Sequence, residues 1–124
     1  MARLLIDTNI LIDLLRRQAP AVSFIAGLTA KPTLSAVTVA ELFSGFRDAA
    51  ERSAIDSILH GATVIPIDEE IAEQGGLLRR QWMRSHGLDI ADALIAATAM
   101  AHGLRLATRN RKHFPMLENL LVPY

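Results

Sequence analysis

Apolar residues follow two rhythms along this chain. Leu4 to Ile6, Thr33 to Val37, Val64 to Ile67 and Arg105 to Thr108 are short runs with little polar interruption, and they read as strands. Pro66 cannot donate to a ladder, so the third run is expected at a sheet edge or a strand end. Between these runs the spacing turns helical. Ile10 to Arg17 carries apolar residues at 10, 11, 12, 14 and 15, with Asp13, Arg16 and Arg17 on the wet side. Pro20 suits the first turn of a second helix to about Leu28, closed by Gly27 and the breaker Pro32. Thr38 to Phe46 and Ala49 to His60 predict two more, the latter stopped by Gly61. Asp68 reads as the cap of a helix to Ser85, in which Gly75 and Gly76 cost about 1 kcal/mol each relative to Ala and allow a kink. The Ala-rich segment Asp89 to His102 ends at Gly103; Lys112 to Glu118 reads as a short helix or turn, and Leu121 to Pro123 as a last strand. Strands alternating with helices imply an α/β fold of three layers, a central parallel β-sheet flanked by helices on both faces.

Composition narrows the class. A chain of 124 residues with 51% hydrophobic content is expected to form one globular domain over 1–124, without repeat or linker. No apolar run approaches the roughly 20 residues of a membrane span, and the first strand follows the N-terminus too closely for a signal peptide. A cytoplasmic location is therefore expected. Zero cysteines exclude disulfides and thiolate metal sites. His60, His86, His102 and His113 lack metal-ligand spacing, which argues against structural zinc. Lys plus Arg and Asp plus Glu both number 13, so no global field attracts a polyanion. Arginine clusters at 16–17, at 79, 80 and 84, and at 105, 109 and 111 (with Lys112) would matter only if they rimmed one crevice; otherwise they are solvated faces.

Three acids fall at element boundaries and not on outer helix faces. Asp7 ends the first strand, with Thr8 or Asn9 expected to cap the next helix; Glu41 is expected in the first turn of the Thr38 helix; Asp92 lies in the first turn of the Asp89 helix. Structure alone could account for each. Thr38 to Glu41 matches a capping box, and Asp89 is a favoured cap for a helix whose first turn takes Asp92. Asp92, however, heads a helix that is apolar nearly all round, and no basic residue lies within four positions of it. A charge there needs compensation, which a divalent cation shared with other carboxylates would supply. The carboxyl edge of a parallel sheet is where three separate segments could bring such acids together, and hard oxygen donors favour Mg²⁺ or Mn²⁺ over zinc. Ions of that kind serve phosphoryl chemistry.

Leu5-Ile6-Asp7-Thr8-Asn9-Ile10, Ser35 to Leu42, Asp92 to Ala99, and Ala107-Thr108-Arg109-Asn110 followed by Phe114 together resemble the PIN domain, and within it the VapC-type ribonuclease toxins of toxin-antitoxin modules. The resemblance spans nearly the whole chain. It implies a PIN-like fold, commonly homodimeric, and cleavage of RNA by a metal-activated water that leaves a 5′-phosphate and a 3′-hydroxyl. It makes Asp7 and Asp92 the principal metal ligands and Glu41 a ligand or water-orienting base for Mg²⁺ or Mn²⁺. Thr8 and Asn9 correspond to polar residues beside the first acid, while Thr108 and Asn110 become supporting groups of the catalytic set. Arg109, Arg111 and Lys112 would touch RNA phosphates. A cognate VapB-type antitoxin is implied as the silencing partner. One departure stands out: many members carry a fourth acid near the closing motif, where this chain has Asn110 and His113. Asp89, one turn before Asp92, could substitute, though capping is its favoured role.

Two other classes remain to be weighed. A module that keeps the scaffold but binds RNA or protein without cutting would bind Mn²⁺ poorly. A phosphatase with Asp7 as nucleophile lacks a second acid two residues on, because position 9 is Asn. Apolar residues of the early helices (Leu11, Leu14, Leu15, Phe43, Phe46) could receive an amphipathic partner, and Trp82 and Met83 could serve a dimer or the core.

Overall fold

The structure, a computed structural model, describes residues 3–124; Met1 and Ala2, the first residues of the expected 1–124 domain, lie outside the described residues. Four three-residue strands, β1 (Leu4–Ile6), β2 (Thr33–Ser35), β3 (Thr63–Ile65) and β4 (Arg105–Ala107), form one sheet. All pairings are parallel, in the order β3-β2-β1-β4. Helices α1 (Thr8–Leu15), α2 (Ala19–Ala26), α3 (Ala36–Gly45), α4 (Ala49–His60), α5 (Glu69–His86) and α6 (Ile90–His102) connect them. Pro66 follows directly after the edge strand β3, where its missing N–H costs no ladder bond.

The three layers follow from alternation along β1. Leu5 points into a cluster with Ile71, Leu78, Ile95, Ala96 and Leu106, so α5 and α6 cover that face. Ile6 points the other way, into Ile10, Leu11, Leu42 and Ile55, where α1, α3 and α4 pack and Phe24 and Ile25 of α2 lie against them. The apolar early-helix residues singled out above mostly belong to this second cluster; Phe46 alone is exposed. Trp82 packs against the first cluster, whereas Met83 faces solvent.

Gly75 explains itself in this packing. A Cβ there would meet Leu94 Cδ2 at 2.6 Å, so the glycine allows α5 and α6 to approach, and α5 runs unbroken past the pair. At the end of α6, Gly103 takes the left-handed conformation (φ 60°) that closes the helix before β4.

Several boundaries differ from the sequence expectation. Helix α1 starts at Thr8 and Asp7 itself is its cap, accepting from Thr8 N at 2.8 Å, so neither Thr8 nor Asn9 has that role. Strand β2 stops at Ser35, whose hydroxyl accepts from Val37 N at 3.1 Å and starts α3 at Ala36. Glu41 is therefore in the second turn, and the Thr38–Glu41 capping box does not form. Val37, β-branched and strand-like in isolation, packs into the first cluster as a helix residue instead. Leu121 contributes one parallel bridge to Ala107 in place of a strand. The segment expected to turn at Lys112–Glu118 holds a single 3₁₀ turn, Arg111–His113, tied down by fully buried Phe114. Burying such a side chain stabilises by about 1.5–3 kcal/mol, which fixes the turn over the sheet. No helix among the described residues is long and apolar enough to cross a membrane.

Candidate active site

The chain leaves β1 toward β2 and β3 on one side and returns as β4 on the other, so the order of connections reverses between β1 and β4. In open parallel sheets that reversal opens a crevice at the carboxyl ends of the strands. Asp7 lies there at the end of β1, and Thr108 at the end of β4.

Asp7 is 4% exposed and its carboxylate is held from both sides. Thr8 N donates to Oδ1 at 2.8 Å, and the Thr108 hydroxyl donates to Oδ2 at 2.7 Å. Thr108 Oγ1 in turn accepts from Asn110 N at 3.0 Å, so Asn110 acts here through its backbone. The Thr8 hydroxyl bonds Glu41 Oε1 at 2.7 Å and lies 3.0 Å from Thr38 Oγ1. Having one proton, Thr8 gives it to the carboxylate, which leaves Thr38 to donate to Thr8. The chain of groups Thr108–Asp7–Thr8–Glu41 thus joins β4, β1, α1 and α3.

Asp92 enters from α6. Its backbone N donates to Asp89 Oδ1 at 2.8 Å, so Asp89 is the cap the sequence suggests and its other oxygen alone is free of that role. The Asp92 side chain, 22% exposed, has its Oδ2 3.3 Å from His113 Nδ1 of the 3₁₀ turn.

These carboxylates are electrostatically uncomfortable. Burial raises the pKa of Asp7 above the ordinary carboxylate range, and nearby Glu41 adds to it, while the bonds from Thr108 and Thr8 pull it back. Burial pushes Asp92 up to about 6, helped by the charges of Asp89, Asp7 and Glu41 and opposed by His113. Asp92 therefore feels both Asp7 and Glu41, yet no Lys or Arg is paired with Asp7, Glu41 or Asp92 among the described residues. Nor do any three Asp, Glu or His groups among those residues enclose one point closely enough to hold an ion as they stand. The acids lie near enough for Asp92 to feel the charges of Asp7 and Glu41 without closing on one point, the arrangement that repulsion between like charges favours. As a donor set they fit a hard divalent cation: all are oxygens, they repel each other without one, and Asn9 Oδ1, in the first turn of α1, is buried with no partner among the described residues.

The basic residues divide differently from the expectation. Arg109 was expected on RNA, but its Nη1 binds Asp13 Oδ2 at 2.8 Å, and Tyr124 OH donates to the same oxygen at 2.9 Å. The guanidinium also lies over the Tyr124 ring, 5.8 Å from its centroid. Burial and the Asp13 bond push the Tyr124 hydroxyl up to about 12. Arg109 thus ties the loop after β4 to α1 and the C-terminal residues. Arg105 is likewise occupied, donating to the carbonyls of Asn119 and Leu120. Arg111 and Lys112 remain exposed on the 3₁₀ turn beside His113.

Sequence reasoning placed none of Thr38, Asp13, Tyr124 and His113 in the site. Thr38 was read as a cap, and only its distance in space from Thr8 shows otherwise. His113 carried one usable signal: it immediately precedes a buried aromatic in the closing motif, so its direction is set by Phe114.

A parallel sheet with buried carboxylates at the carboxyl ends of its strands defines an α/β protein whose candidate site lies at the topological switch point. The PIN domain family matches residues 4–117. Ribonuclease VapC10 of Mycobacterium tuberculosis is 39% identical over 124 residues, spanning 98% of this chain and 92% of that protein. Ribonuclease VapC19 of the same species is 37% identical, spanning 97% and 98%. A toxin-antitoxin complex from Klebsiella pneumoniae contains a chain that superposes with a TM-score of 0.82 at 32% identity, over 97% of each chain. The chain belongs to the PIN-domain family, in its VapC-type branch.

Proposed function

We propose that this protein is a Mg²⁺- or Mn²⁺-dependent endoribonuclease, the toxin of a type II toxin-antitoxin module, held silent by a VapB-type antitoxin. The observation that carries the reading is that Asp7, linked through Thr8 to Glu41, and Asp92, which feels the charges of both, have raised pKa values with no Arg or Lys paired to any of the three among the described residues. The relatives' names, ribonuclease and toxin-antitoxin complex, supply the substrate class and the partner. A cytoplasmic location and action as a homodimer belong to the same reading, the latter with exposed Leu77 and Met83 on α5 as apolar surface for self-association.

Asp7, Asp92 and Glu41 would hold the cation. Bound there, it would lower the pKa of a water and offset charge developing on the phosphate oxygens. The chain's own residues do the rest. Thr8 N and Thr108 Oγ1 fix both oxygens of Asp7, so this carboxylate needs no reorganisation when substrate arrives. The Thr8 hydroxyl occupies Glu41 Oε1 and leaves Oε2 to take a proton from the attacking water. That water's oxygen bonds phosphorus as its proton passes to Glu41, the P–O3′ bond breaks, and the 3′ oxygen leaves, taking a proton from solvent to become the 3′-hydroxyl. Arg111 and Lys112, exposed on the 3₁₀ turn, would meet flanking phosphates. A binding module that cuts nothing would gain little from a buried, doubly held Asp7.

Purified protein incubated with cellular RNA should cleave it in Mg²⁺ or Mn²⁺ and stop in EDTA. Undiminished cleavage in EDTA contradicts the metal dependence, and no cleavage under any divalent cation contradicts the nuclease reading. Analytical ultracentrifugation tests the homodimer; a strict monomer at high concentration rejects it.

A further inference from the structure

Asp7 and Glu41 are each held by threonines, but Asp92 has a different neighbour. His113 Nδ1 stands 3.3 Å from Asp92 Oδ2, and the imidazole side chain is 53% exposed. The separation is long for a charge-assisted hydrogen bond, which closes to about 2.7–2.9 Å. It suits another arrangement. Two donors on adjacent positions of an octahedral ion, each about 2.1 Å from it, stand about 3 Å apart. The turn that carries His113 is anchored: His113 N donates to Asn110 O at 3.0 Å, Phe114 N donates to Arg111 O at 3.1 Å, and the Phe114 ring is buried in the first cluster. A protonated imidazole at this position would lower the pKa of both Asp7 and Asp92, which puts it within reach of both carboxylates' fields. Asn110, the other polar residue of the closing motif, is engaged through its backbone.

The geometry points to His113 as a nitrogen ligand of the cation that Asp7 and Asp92 hold, making this an N/O site and not an all-oxygen one. The inference rests on the metal-dependent reading above and deepens it. In its neutral form the imidazole offers Nδ1 as a lone-pair donor and adds no negative charge where a fourth acid would add one. Imidazole favours the later divalent ions, so the site should discriminate toward Mn²⁺ over Mg²⁺ more strongly than carboxylates alone would. Because the side chain is half exposed, its replacement leaves the core untouched.

The test is pulsed electron paramagnetic resonance on the full chain loaded with Mn²⁺, together with Mn²⁺ and Mg²⁺ titrations of the wild type, His113→Gln, His113→Asp and Asp7→Asn. The wild type should show ¹⁴N modulation from a directly bound imidazole, and His113→Gln should lose it. Mn²⁺ affinity should fall about tenfold in His113→Gln with a smaller change for Mg²⁺, and His113→Asp should shift the preference toward Mg²⁺. Mn²⁺ bound in an Asp7-dependent way but without nitrogen modulation, and with affinities unchanged in His113→Gln, overturns the His113 assignment and leaves the metal reading standing. Mn²⁺ binding that is absent, or equal in the wild type and Asp7→Asn, overturns the metal reading itself and the assignment with it.

Discussion

Two acids in this chain are buried to nearly the same degree, Asp7 at 4% and Glu51 at 7% exposure, and they live in opposite environments. Glu51, in the first turn of α4, is gripped by Arg47: the backbone N donates to Oε1 at 2.8 Å, and Nε and Nη2 reach Oε2 at 3.0 and 2.7 Å. These bonds lower its pKa, with Arg47 the principal cause. The pair closes the entry to α4 next to the Asp48 cap, which accepts from Glu51 N. Asp7 receives only neutral donors and its pKa is raised. A buried acid with its own arginine is part of the framework. One left without a paired Lys or Arg at a sheet's switch point is the group to which the proposed metal reading assigns a cation from outside.

Exchanging the two acids for their amides should therefore dissociate activity from stability. Asp7→Asn is expected to reduce RNA cleavage by about 10³-fold or more, the scale of losing a central electrostatic group, while its melting temperature stays at or above that of the wild type. Glu51→Gln should do the reverse, lowering the melting temperature with turnover preserved. Cleavage rates and thermal melts of the two variants side by side check both; an active Asp7→Asn, or an inactive but stable Glu51→Gln, breaks the distinction.

Thr108→Val removes the donor to Asp7 Oδ2 and the acceptor for Asn110 N at little change in volume. Losses of about 10- to 100-fold in metal affinity or cleavage are expected, as for other groups that orient a metal ligand. Titration of Mn²⁺ against the variant checks it, and an unchanged affinity would mean the hydroxyl only fills space.

Asp92 gives a subtler effect with a definite sign. Its pKa is raised to about 6 in the fold, so the unfolded chain, with the ordinary value of 3.8, releases the proton more readily. Without metal, ionised Asp92 therefore weakens the fold, a penalty that accrues between about pH 4 and pH 6 and is constant above. Asp92→Asn should stabilise the metal-free protein at pH 8 by about 1–2 kcal/mol, allowing for screening at a partly exposed group, with no gain below pH 4. Glu51 has the opposite sign: its lowered pKa contributes stability above about pH 4.5 that is lost as pH falls further. Denaturant melts across pH for the two amide variants should therefore diverge in opposite directions.

Much of this was legible in the chain itself. The strand cores at Leu5, Leu34 and Leu106, the helix stops at Gly61 and Gly103, and the edge position of the strand before Pro66 follow from local chemistry that tertiary packing does not override. Asp7 and Asp92 could be nominated because each lies at an element boundary, whereas Glu41 was nominated on an expected boundary and in fact lies in the second turn of α3. What local pattern hid was competition. Ser35 and Thr38 are both competent caps, and Ser35 prevails because Thr38 has a partner in Thr8, thirty residues away in sequence. Arg109 looked free for phosphate because Asp13 and Tyr124, 96 and 111 residues from their partners, meet only in the folded state. His113 stayed silent because its significance is a distance to Asp92 that the sequence does not encode locally.

Thermal unfolding with and without Mn²⁺ decides whether Asp7, Glu41 and Asp92, none paired with Lys or Arg among the described residues, take a divalent cation from outside. Ligand that binds only the native state stabilises it by mass action, so saturating Mn²⁺ should raise the melting temperature of the wild type by several degrees, about 2.7 kcal/mol at a hundredfold excess over Kd, and leave Asp7→Asn unmoved. No shift in the wild type, or the same shift in both proteins, would contradict a cation site there.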